Sequence, residues 1–293
     1  MGEAMTAPPP WGFESETGRL REILLCRPDH YAWQPTNAVA RATMDRGEAL
    51  DTEALAAAFG ELEDALAGAG VALRYLEPDP HLPYQVYTRD SLQMTPWGAY
   101  MPQLFRPQRR GEIAAVTRFL LDEAIPIWGW ATAGAIEGGD IHFLKPGVCL
   151  IGASGERTTL AGANQLAERV RAEGWEARIQ PFDEHFLHMD LLICMAAEGL
   201  AVICPDALPD DFPDWLAGRG VRALSVSYRD TMAMGCNLLA LGDDRVLSSA
   251  HAVDLNARLR AEGLTVLDPD PRLFAAGGGS AHCMTMPLRR DRG

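Results

Sequence analysis

Five residues able to take part in chemistry recur along the sequence at nearly constant intervals. They are Asp90, Asp140, Asp190, Asn237 and Cys283, separated by 50, 50, 47 and 46 residues. Each of the first four precedes an apolar segment, a short turn and a second apolar segment, and Cys283 precedes the apolar MTMPL. Repeats of this length are the signature of a fold built from equivalent units. The sequence therefore predicts that the five side chains gather around one centre.

Several carboxylates around one thiol favour a planar cation as ligand. A guanidinium group offers five N–H donors, which match carboxylates in bidentate pairs. A thiolate is a strong nucleophile near neutral pH and is suited to attack the central carbon of such a group. Cys283 is the predicted nucleophile. The residues predicted to bind the substrate at this centre are Asp90, Asp140, Asp190 and Asn237.

Two more ionisable residues adjoin these positions. Glu137 lies three residues before Asp140, and His188 lies two residues before Asp190. An imidazole here is able to give a proton to a leaving amine and later to take one from water. Glu137 and His188 are therefore predicted to act with Cys283 in catalysis. Taken singly, each residue is more often a capping, hydrogen-bonding or core residue, and only their joint place in a repeat favours chemistry.

Two glycine runs adjoin the same residues. Gly138 and Gly139 separate Glu137 from Asp140, which predicts a tight backbone turn. The run 277–279 precedes Cys283 and predicts a flexible or strained loop that carries the nucleophile.

The elements that must position these residues read as strand, strand, helix and strand in each unit. Turns rich in Gly, Pro and Asp join the paired apolar segments, as in hairpins. The predicted helices are EIAAVTRFLLDEA, AGANQLAERVRAEG, a short one around DFPDWLAGRG, and AVDLNARLRAEG. The predicted closing strands are PIWGW, EARIQPF, VRALSVS and LTVLDPD.

A further unit is split between the two ends of the chain. REILLCRP, the helix TEALAAAFGELEDALAGAG and the strand VALRYLEP lack a first strand, which the C-terminal CMTMPL supplies. Five such units predict one closed, propeller-like α/β domain over residues 1–293, with residues 1–12 as a loose arm. The alternative is an ordinary α/β sandwich whose strands look alike.

Composition bounds the function. The 293 residues are 47% hydrophobic and carry a net charge of −14, which indicates a globular protein and argues against nucleic acid or membrane as partner. The six cysteines form no CxxC pair, so the sequence predicts buried free thiols in a reducing cytoplasm, with no cofactor and no metal site. The expected partner is a small guanidino or ureido substrate, and a homo-oligomer is allowed.

Four short segments in this order resemble the guanidine-modifying superfamily, the penteins. The segments are YTRD, EGGD, HMD and GGGSAHCMTMPL. The resemblance covers nearly the whole chain and implies a five-fold α/β propeller. It also implies that Asp90, Glu137 and Asp190 bind the guanidinium, that His188 is the acid and base, and that Cys283 is the nucleophile.

Two arginines resemble residues that hold the substrate carboxylate in arginine deiminases. Arg109 lies in RPQRRGE and Arg157 in GERTT. The resemblance implies a carboxylated substrate, because the forked guanidinium matches a carboxylate. The alternatives are surface charge for Arg109 and an ordinary loop salt bridge for Arg157.

The nucleophile segment departs from arginine deiminase. His282 and Gly278 stand where that family has arginines, and the His-Cys pair is instead similar to agmatine deiminases and amidinotransferases. The predicted function is hydrolysis of an arginine-like or ureido compound through a covalent adduct on Cys283, with release of ammonia or an amine. The alternatives are an amidinotransferase, disfavoured by the EGGD segment, and a non-catalytic pentein binding module.

Overall fold

Five three-stranded sheets of identical pairing make up the framework of the protein. The computed structural model describes residues 11–291. In every sheet the middle strand pairs antiparallel with the first strand of its unit and parallel with the last. The strands, sheet by sheet, are β15 (Met286–Arg290), β1 (Leu20–Cys26) and β2 (Ala72–Leu76); β3 (Gln93–Thr95), β4 (Gly98–Met101) and β5 (Ile127–Trp130); β6 (Ile141–Lys145), β7 (Val148–Ala153) and β8 (Glu176–Pro181); β9 (Ile193–Ala197), β10 (Leu200–Ile203) and β11 (Arg222–Ser225); and β12 (Leu239–Gly242), β13 (Arg245–Leu247) and β14 (Thr265–Leu267).

A helix connects the two parallel strands of every sheet, because such strands need a crossover connection. The α-helices of the described residues are α1 (Ala38–Asp45), α2 (Thr52–Gly68), α3 (Glu112–Asp122), α4 (Leu160–Ala172), α5 (Phe212–Ala217), α6 (Tyr228–Met232), α7 (Val253–Ala261) and α8 (Arg272–Ala275). The predicted helices and closing strands are thereby confirmed, while α1, α6 and α8 are additions in the connections.

Helix α2 illustrates why these segments are helical. Asp51 caps its start by accepting hydrogen bonds from the backbone N–H groups of residues 53 and 54, both at 3.0 Å. Its buried residues recur at helical spacing and form one apolar face. They are Leu55, Phe59, Leu62 and Leu66.

Sheet β15–β1–β2 joins the two ends of the described chain. Leu24 of β1 pairs with Met286 of β15, as the split unit predicted. The five-fold α/β propeller is confirmed and the sandwich alternative is wrong, because the chain forms five small sheets rather than two packed ones. The predicted loose arm lies outside the described residues up to residue 10. At residues 11–12 the prediction is wrong, since the Gly12 N–H donates to the Leu288 carbonyl at 2.8 Å.

Apolar residues fill the space between sheets and helices. Three clusters contain, among others, Phe59, Phe143 and Phe212, each almost fully buried. The first strands of neighbouring sheets contact one another, as β9 does β12 and β3 does β15. The residue just before each first strand is therefore carried toward the same interior region.

Candidate active site

Cys283 lies just before β15 and is 4% exposed. Its Sγ is 3.2 Å from Oδ2 of Asp190 and 3.1 Å from Nδ2 of Asn237. The Oδ1 atom of Asn237 accepts the backbone N–H groups of His282 and Cys283, at 3.0 and 3.3 Å. Asn237 thus fixes the backbone of the nucleophile segment as well as the thiol.

The thiol of Cys283 is held in its protonated form. Burial raises its pKa well above the ordinary value of 9.0, and the negative charges of Asp190 and Asp90 raise it further. Additional positive charge near the thiol would lower this pKa and favour the thiolate.

Asp190 is a fully buried carboxylate with two hydrogen-bond donors on one oxygen. Its Oδ2 is 2.8 Å from Nδ1 of His282 in addition to its contact with Cys283. Although burial opposes ionisation, the hydrogen bond from His282 and the positive charges of His188 and His142 hold the pKa of Asp190 below its ordinary value. Asp190 is accordingly ionised at neutral pH.

His188 stands between two carboxylates. Its Nε2 is 2.8 Å from Oε2 of Glu137, and its Nδ1 is 3.5 Å from Oδ1 of Asp90. Burial acts to lower the pKa of His188, but the charges of Asp90, Glu137 and Asp140 outweigh it and raise the pKa to about 10. His188 is therefore an imidazolium at neutral pH, ready to donate a proton.

Two arginines neutralise the carboxylates beside His188. Arg109 donates through Nη1 to Asp90 Oδ2 at 2.6 Å, and through Nε and Nη2 to both oxygens of Glu112 at 2.8 Å. Arg157 donates through Nη1 to Glu137 Oε2 at 3.2 Å. Both arginines are buried, so the alternative of surface charge for Arg109 is wrong.

Asp140 and Asn237, both predicted to bind the substrate, support other residues and are absent from the pocket lining. Asp140 Oδ1 accepts the backbone N–H of Met189 at 2.7 Å, which fixes the turn that carries His188. Burial raises the pKa of Asp140 to about 6, against the charge of His188. Asn237 holds Cys283 through hydrogen bonds of its amide to the thiol and to the backbone N–H groups of residues 282 and 283. Asp190 and Glu137 also lie behind the surface of the pocket.

The glycine runs are required by close packing. A Cβ atom on Gly139 would lie 2.8 Å from the ring of His188, so a larger residue would displace the imidazole. Gly278 has a φ of +109°, a region that favours glycine, and its Cβ would meet Asn37 and Leu187, each at 2.9 Å. The segment before Cys283 is thus tightly packed, and the prediction of a flexible or strained loop stays a prediction.

A small pocket brings several of the candidate residues together. Its volume is about 20 Å³, room for one water-sized molecule, so entry of a guanidino group requires the lining residues to move. Asn37, at the start of α1, lines it and donates to the Gly277 carbonyl at 2.9 Å. The lining residues are Asn37, Tyr84, Tyr87, Asp90, Arg109, Arg157, Leu187, His188, Gly277, Gly278 and Cys283.

Two groups of buried donor atoms within residues 11–291 are close enough to hold a metal ion: Asp90, Glu137 and His188, and Glu16, His142 and His282. In the first group, Arg109 and Arg157 already neutralise the carboxylates. In the second, the guanidinium of Arg89 contributes positive charge beside Glu16 and His282. Existing ion pairs with His188 and His142 also engage the carboxylates of the two groups, so the geometry favours ion pairs over a bound metal at both places.

Several buried charged or titratable residues escaped the sequence reasoning, among them Glu112, His282, Glu16 and His142. Glu112 follows Arg109 by three residues, a spacing that permits a helical ion pair and was a readable signal. His282 was noted only as a departure from a family pattern. Glu16 and His142 lie outside the recurring positions, and no sequence signal marks them.

The candidate residues from Asp90 to Cys283 lie within a match to a known protein family. A family model described as arginine deiminase matches residues 59–217 and 214–290, well over half of the 293 residues. The chain belongs to the arginine deiminase family. Membership in this family supports the prediction that the protein is a hydrolase of guanidino compounds.

Several relatives are similar to this chain, over different shares of its length and of their own. The uncharacterized protein YkgA of Bacillus subtilis is 28% identical over 94% of this chain and 94% of its own. The arginine deiminase of Rhodococcus erythropolis is 30% identical over 53% of this chain and 46% of its own. That of Listeria monocytogenes is 24% identical over 74% and 63%. The chain thus spans less than two thirds of the length of these arginine deiminases.

Solved structures share the fold of this arginine deiminase family member. The N-terminal domain of ArgZ, a cyanobacterial arginine dihydrolase, superimposes with a TM-score of 0.80 at 18% identity, over 92% of this chain and 98% of that one. DDAH of Pseudomonas aeruginosa, complexed with citrulline, gives 0.77 at 17% identity, over 92% and 99%. AgrE, in complex with ornithine and NAD+, gives 0.79 at 20% identity, over 93% and 40%.

None of the helices in residues 11–291 combines the length and the apolar character needed to cross a bilayer.

Proposed function

We propose that the protein hydrolyses the guanidinium group of an arginine-like substrate with Cys283 as nucleophile and His188 as acid and base. The observation that carries the proposal is the common pocket of Cys283, His188 and Asp90. A thiol, a protonated imidazole and a carboxylate on one small cavity supply a nucleophile, a proton donor and a cation ligand.

The charges of the site explain how the nucleophile becomes active. The fields of Asp190 and Asp90 keep the proton on Cys283 in the free protein. A guanidinium paired with Asp90 brings a positive charge that replaces that proton, which leaves to solvent. Substrate binding and thiolate formation are then one coupled event, and a neutral compound gains little from the site.

The chemical steps follow from the protonation states. The thiolate attacks the central carbon and a tetrahedral adduct forms. The imidazolium of His188 protonates the leaving nitrogen, the C–N bond breaks, and a thiouronium remains on Cys283. The now neutral His188 takes a proton from water as the water attacks the same carbon. The C–S bond then breaks to release the thiolate, and the hydroxyl group loses its proton to solvent to give the ureido product.

Glu137, Asp140 and Asp190 act in this proposal by supporting the reacting groups. Glu137 holds Nε2 of His188, and Asp140 holds the backbone of the next residue. Asp190 holds the thiol and gives negative charge that attracts the guanidinium. None of the three lines the pocket, so their part in binding the cation is electrostatic.

A carboxylated substrate is part of the proposal, and Arg157 is the better placed of the two arginines. All three guanidinium nitrogens of Arg109 already donate to Asp90 and Glu112. Arg157 uses Nη1 for Glu137, while its buried Nε has no hydrogen-bond partner among the described residues. A buried donor without a partner is costly, and a substrate carboxylate would satisfy it.

The experiment is a panel of guanidino and ureido compounds assayed for release of ammonia and of amines. Ammonia release from a guanidino acid, absent with Cys283→Ser, supports the proposal. Transfer of the amidino group to glycine or another amine in place of water would indicate an amidinotransferase. Binding without turnover of any compound would indicate a binding module.

A further inference from the structure

A second histidine, next to the nucleophile, contacts the candidate site from the interior side. His282 is 2% exposed and does not line the pocket. Its Nδ1 lies 2.8 Å from Oδ2 of Asp190, the oxygen that also accepts the thiol of Cys283 at 3.2 Å. The two adjacent residues thus place their hydrogen-bond donors on one carboxylate oxygen.

The ionisation states of these groups determine which ring nitrogen of His282 carries the proton. Burial and the nearby charge of Arg89 lower the pKa of His282 to about 4, so the ring is neutral near pH 7. Asp190 is ionised there. A neutral imidazole beside a carboxylate must carry its single proton on the nitrogen that faces it, which fixes the Nδ1–H tautomer.

The ring of His282 is held in this orientation by its surroundings. It stacks on the ring of His142, with centroids 5.7 Å apart and planes 19° apart. His142 is fixed in turn, because its Nδ1 lies 3.2 Å from Oε1 of Glu16 and its Nε2 lies 3.2 Å from the Gly139 carbonyl. The backbone of His282 accepts Arg89 Nε at 3.4 Å and donates to Asn237.

Two acceptors on either side of the His142 ring require both of its nitrogens to carry protons. The charge of Glu16 raises the pKa of His142 against the effect of burial. His142 is therefore an imidazolium paired with Glu16, and His282 is the neutral member of the stacked pair. Of the two histidines, it is His282 that hydrogen-bonds to Asp190, the residue that contacts the thiol of Cys283.

We propose that His282 is a positioning residue that keeps Asp190 ionised and aligned beside the thiolate of Cys283. When the thiol loses its proton, a thiolate and a carboxylate face each other across a short distance. Without a competing donor, that pair would retain the proton more tightly, because two like charges disfavour ionisation. The N–H of His282 stabilises the carboxylate, so the thiolate forms at a lower pH.

Other charged groups act on this pair, among them the fully buried guanidinium of Arg89. Toward the pocket, Asp90 raises the pKa of Cys283. His188 and His142 add to the positive charge that acts on Asp190. Among these groups, His282 is the one that donates directly to the oxygen shared with the thiol. Its removal should therefore change the thiol through Asp190.

The test compares variants of residue 282 that remove or keep the N–H group that donates to Asp190. His282→Leu removes it, and His282→Asn keeps an amide N–H near the place of Nδ1. Where His282→Leu does not fold, His282→Phe, an aromatic ring without an N–H donor, replaces it. His142→Asn is the control for loss of a buried imidazole from the same stack. The primary measurement is the pH dependence of Cys283 alkylation by iodoacetamide, followed by peptide mapping on protein shown to be folded.

His282→Leu should move the alkylation midpoint upward by about one pH unit, which corresponds to a tenfold smaller thiolate fraction. Since the inference rests on the proposed function for its effect on turnover, kcat/KM should fall about tenfold or more, mainly through kcat. His282→Asn should restore both quantities to within about threefold of the wild-type values, and His142→Asn, which removes a charge but no hydrogen bond to Asp190, should move the alkylation midpoint by less than His282→Leu does.

An unchanged alkylation midpoint in the folded donor-free variant would overturn the inference, as would a His282→Asn protein as impaired as His282→Leu. A shifted midpoint in a protein that turns over no guanidino compound would support the role of His282 and overturn the proposed function. The two proposals are therefore separable.

Discussion

Sγ of Cys283 and Oδ2 of Asp190, both in buried side chains, lie 3.2 Å apart. A thiol beside an ionised carboxylate keeps its proton, so the resting site contains a neutral nucleophile and a charged acid, His188. This arrangement makes activation depend on the charge of the substrate. Four measurements follow from it.

The alkylation of Cys283 should report its raised pKa. Iodoacetamide, a neutral reagent, should react slowly at about pH 7 and faster only above about pH 9, because the thiolate is the reactive form. A haloacetamidine of similar shape carries a positive charge and should react faster than iodoacetamide near pH 7. Asp190→Asn should move the iodoacetamide profile to lower pH. Equal rates for the two reagents would contradict the coupling of cation binding to thiolate formation.

Asp90 is predicted to bind the guanidinium directly, since it lines the pocket. Asp90→Asn removes a charged hydrogen bond, worth about 1.5–3 kcal/mol, and kcat/KM should fall by roughly one to two decades. Steady-state kinetics with the best substrate of the panel give the measurement. Glu112→Gln is the matched comparison, since Glu112 contacts Arg109 on the side away from Asp90 and is absent from the pocket lining. An Asp90→Asn enzyme with wild-type kinetics would show that the cation binds elsewhere.

Arg157 should select a carboxylated substrate over its decarboxylated analogue. Loss of one charge-assisted contact corresponds to about tenfold or more in kcat/KM, so arginine should exceed agmatine by at least that factor. Arg157→Gln should reduce this preference mainly by slowing arginine. Steady-state kinetics with arginine and agmatine on both proteins test the prediction. A preference for agmatine would mean that the His-Cys segment was the better guide to the substrate.

The stability of the protein should depend on His188 in a defined pH range. The pKa of His188 is raised from 6.5 to about 10 on folding, so its charged form stabilises the fold fully below pH 6.5. That contribution is lost as the pH rises from 6.5 toward 10. Urea unfolding should show that the stability difference between wild type and His188→Gln shrinks by about 1 kcal/mol or more across this range.

His81→Gln, at an exposed histidine, serves as the control for that series. A wild-type advantage over His188→Gln that is constant with pH, or that grows as the pH rises, would show that His188 is not held as an imidazolium in the folded protein.

The sequence predicted the repeat and the residues at its equivalent positions, because hydrophobic periodicity and turn residues are local signals. It predicted that Cys283, His188 and Asp90 would come together, and the structure places all three on one pocket. The support given by Asp140 and Asn237 was not predictable, since it depends on which backbone N–H groups face them in three dimensions.

The ion pairs of the interior were harder still to predict. Glu16 reaches His142 across 126 residues, and His282 reaches Asp190 across 92. Arg109 appeared in the sequence as part of a charged run, yet burial beside Asp90 and Glu112 occupies its donors. Such long-range pairing leaves no trace in local composition. The charged run around Arg109 was therefore compatible with an exposed side chain as well as with a buried one.

Mass spectrometry of an acid-quenched reaction tests the role of Cys283 most directly. Wild-type protein mixed with the best substrate of the panel and quenched during turnover should carry a substrate-derived mass on the peptide that contains Cys283. Cys283→Ser should fold, as thermal unfolding would show, but should carry no adduct and release no ammonia. An active Cys283→Ser enzyme, or an adduct on a different residue, would contradict the assignment of Cys283 as the nucleophile.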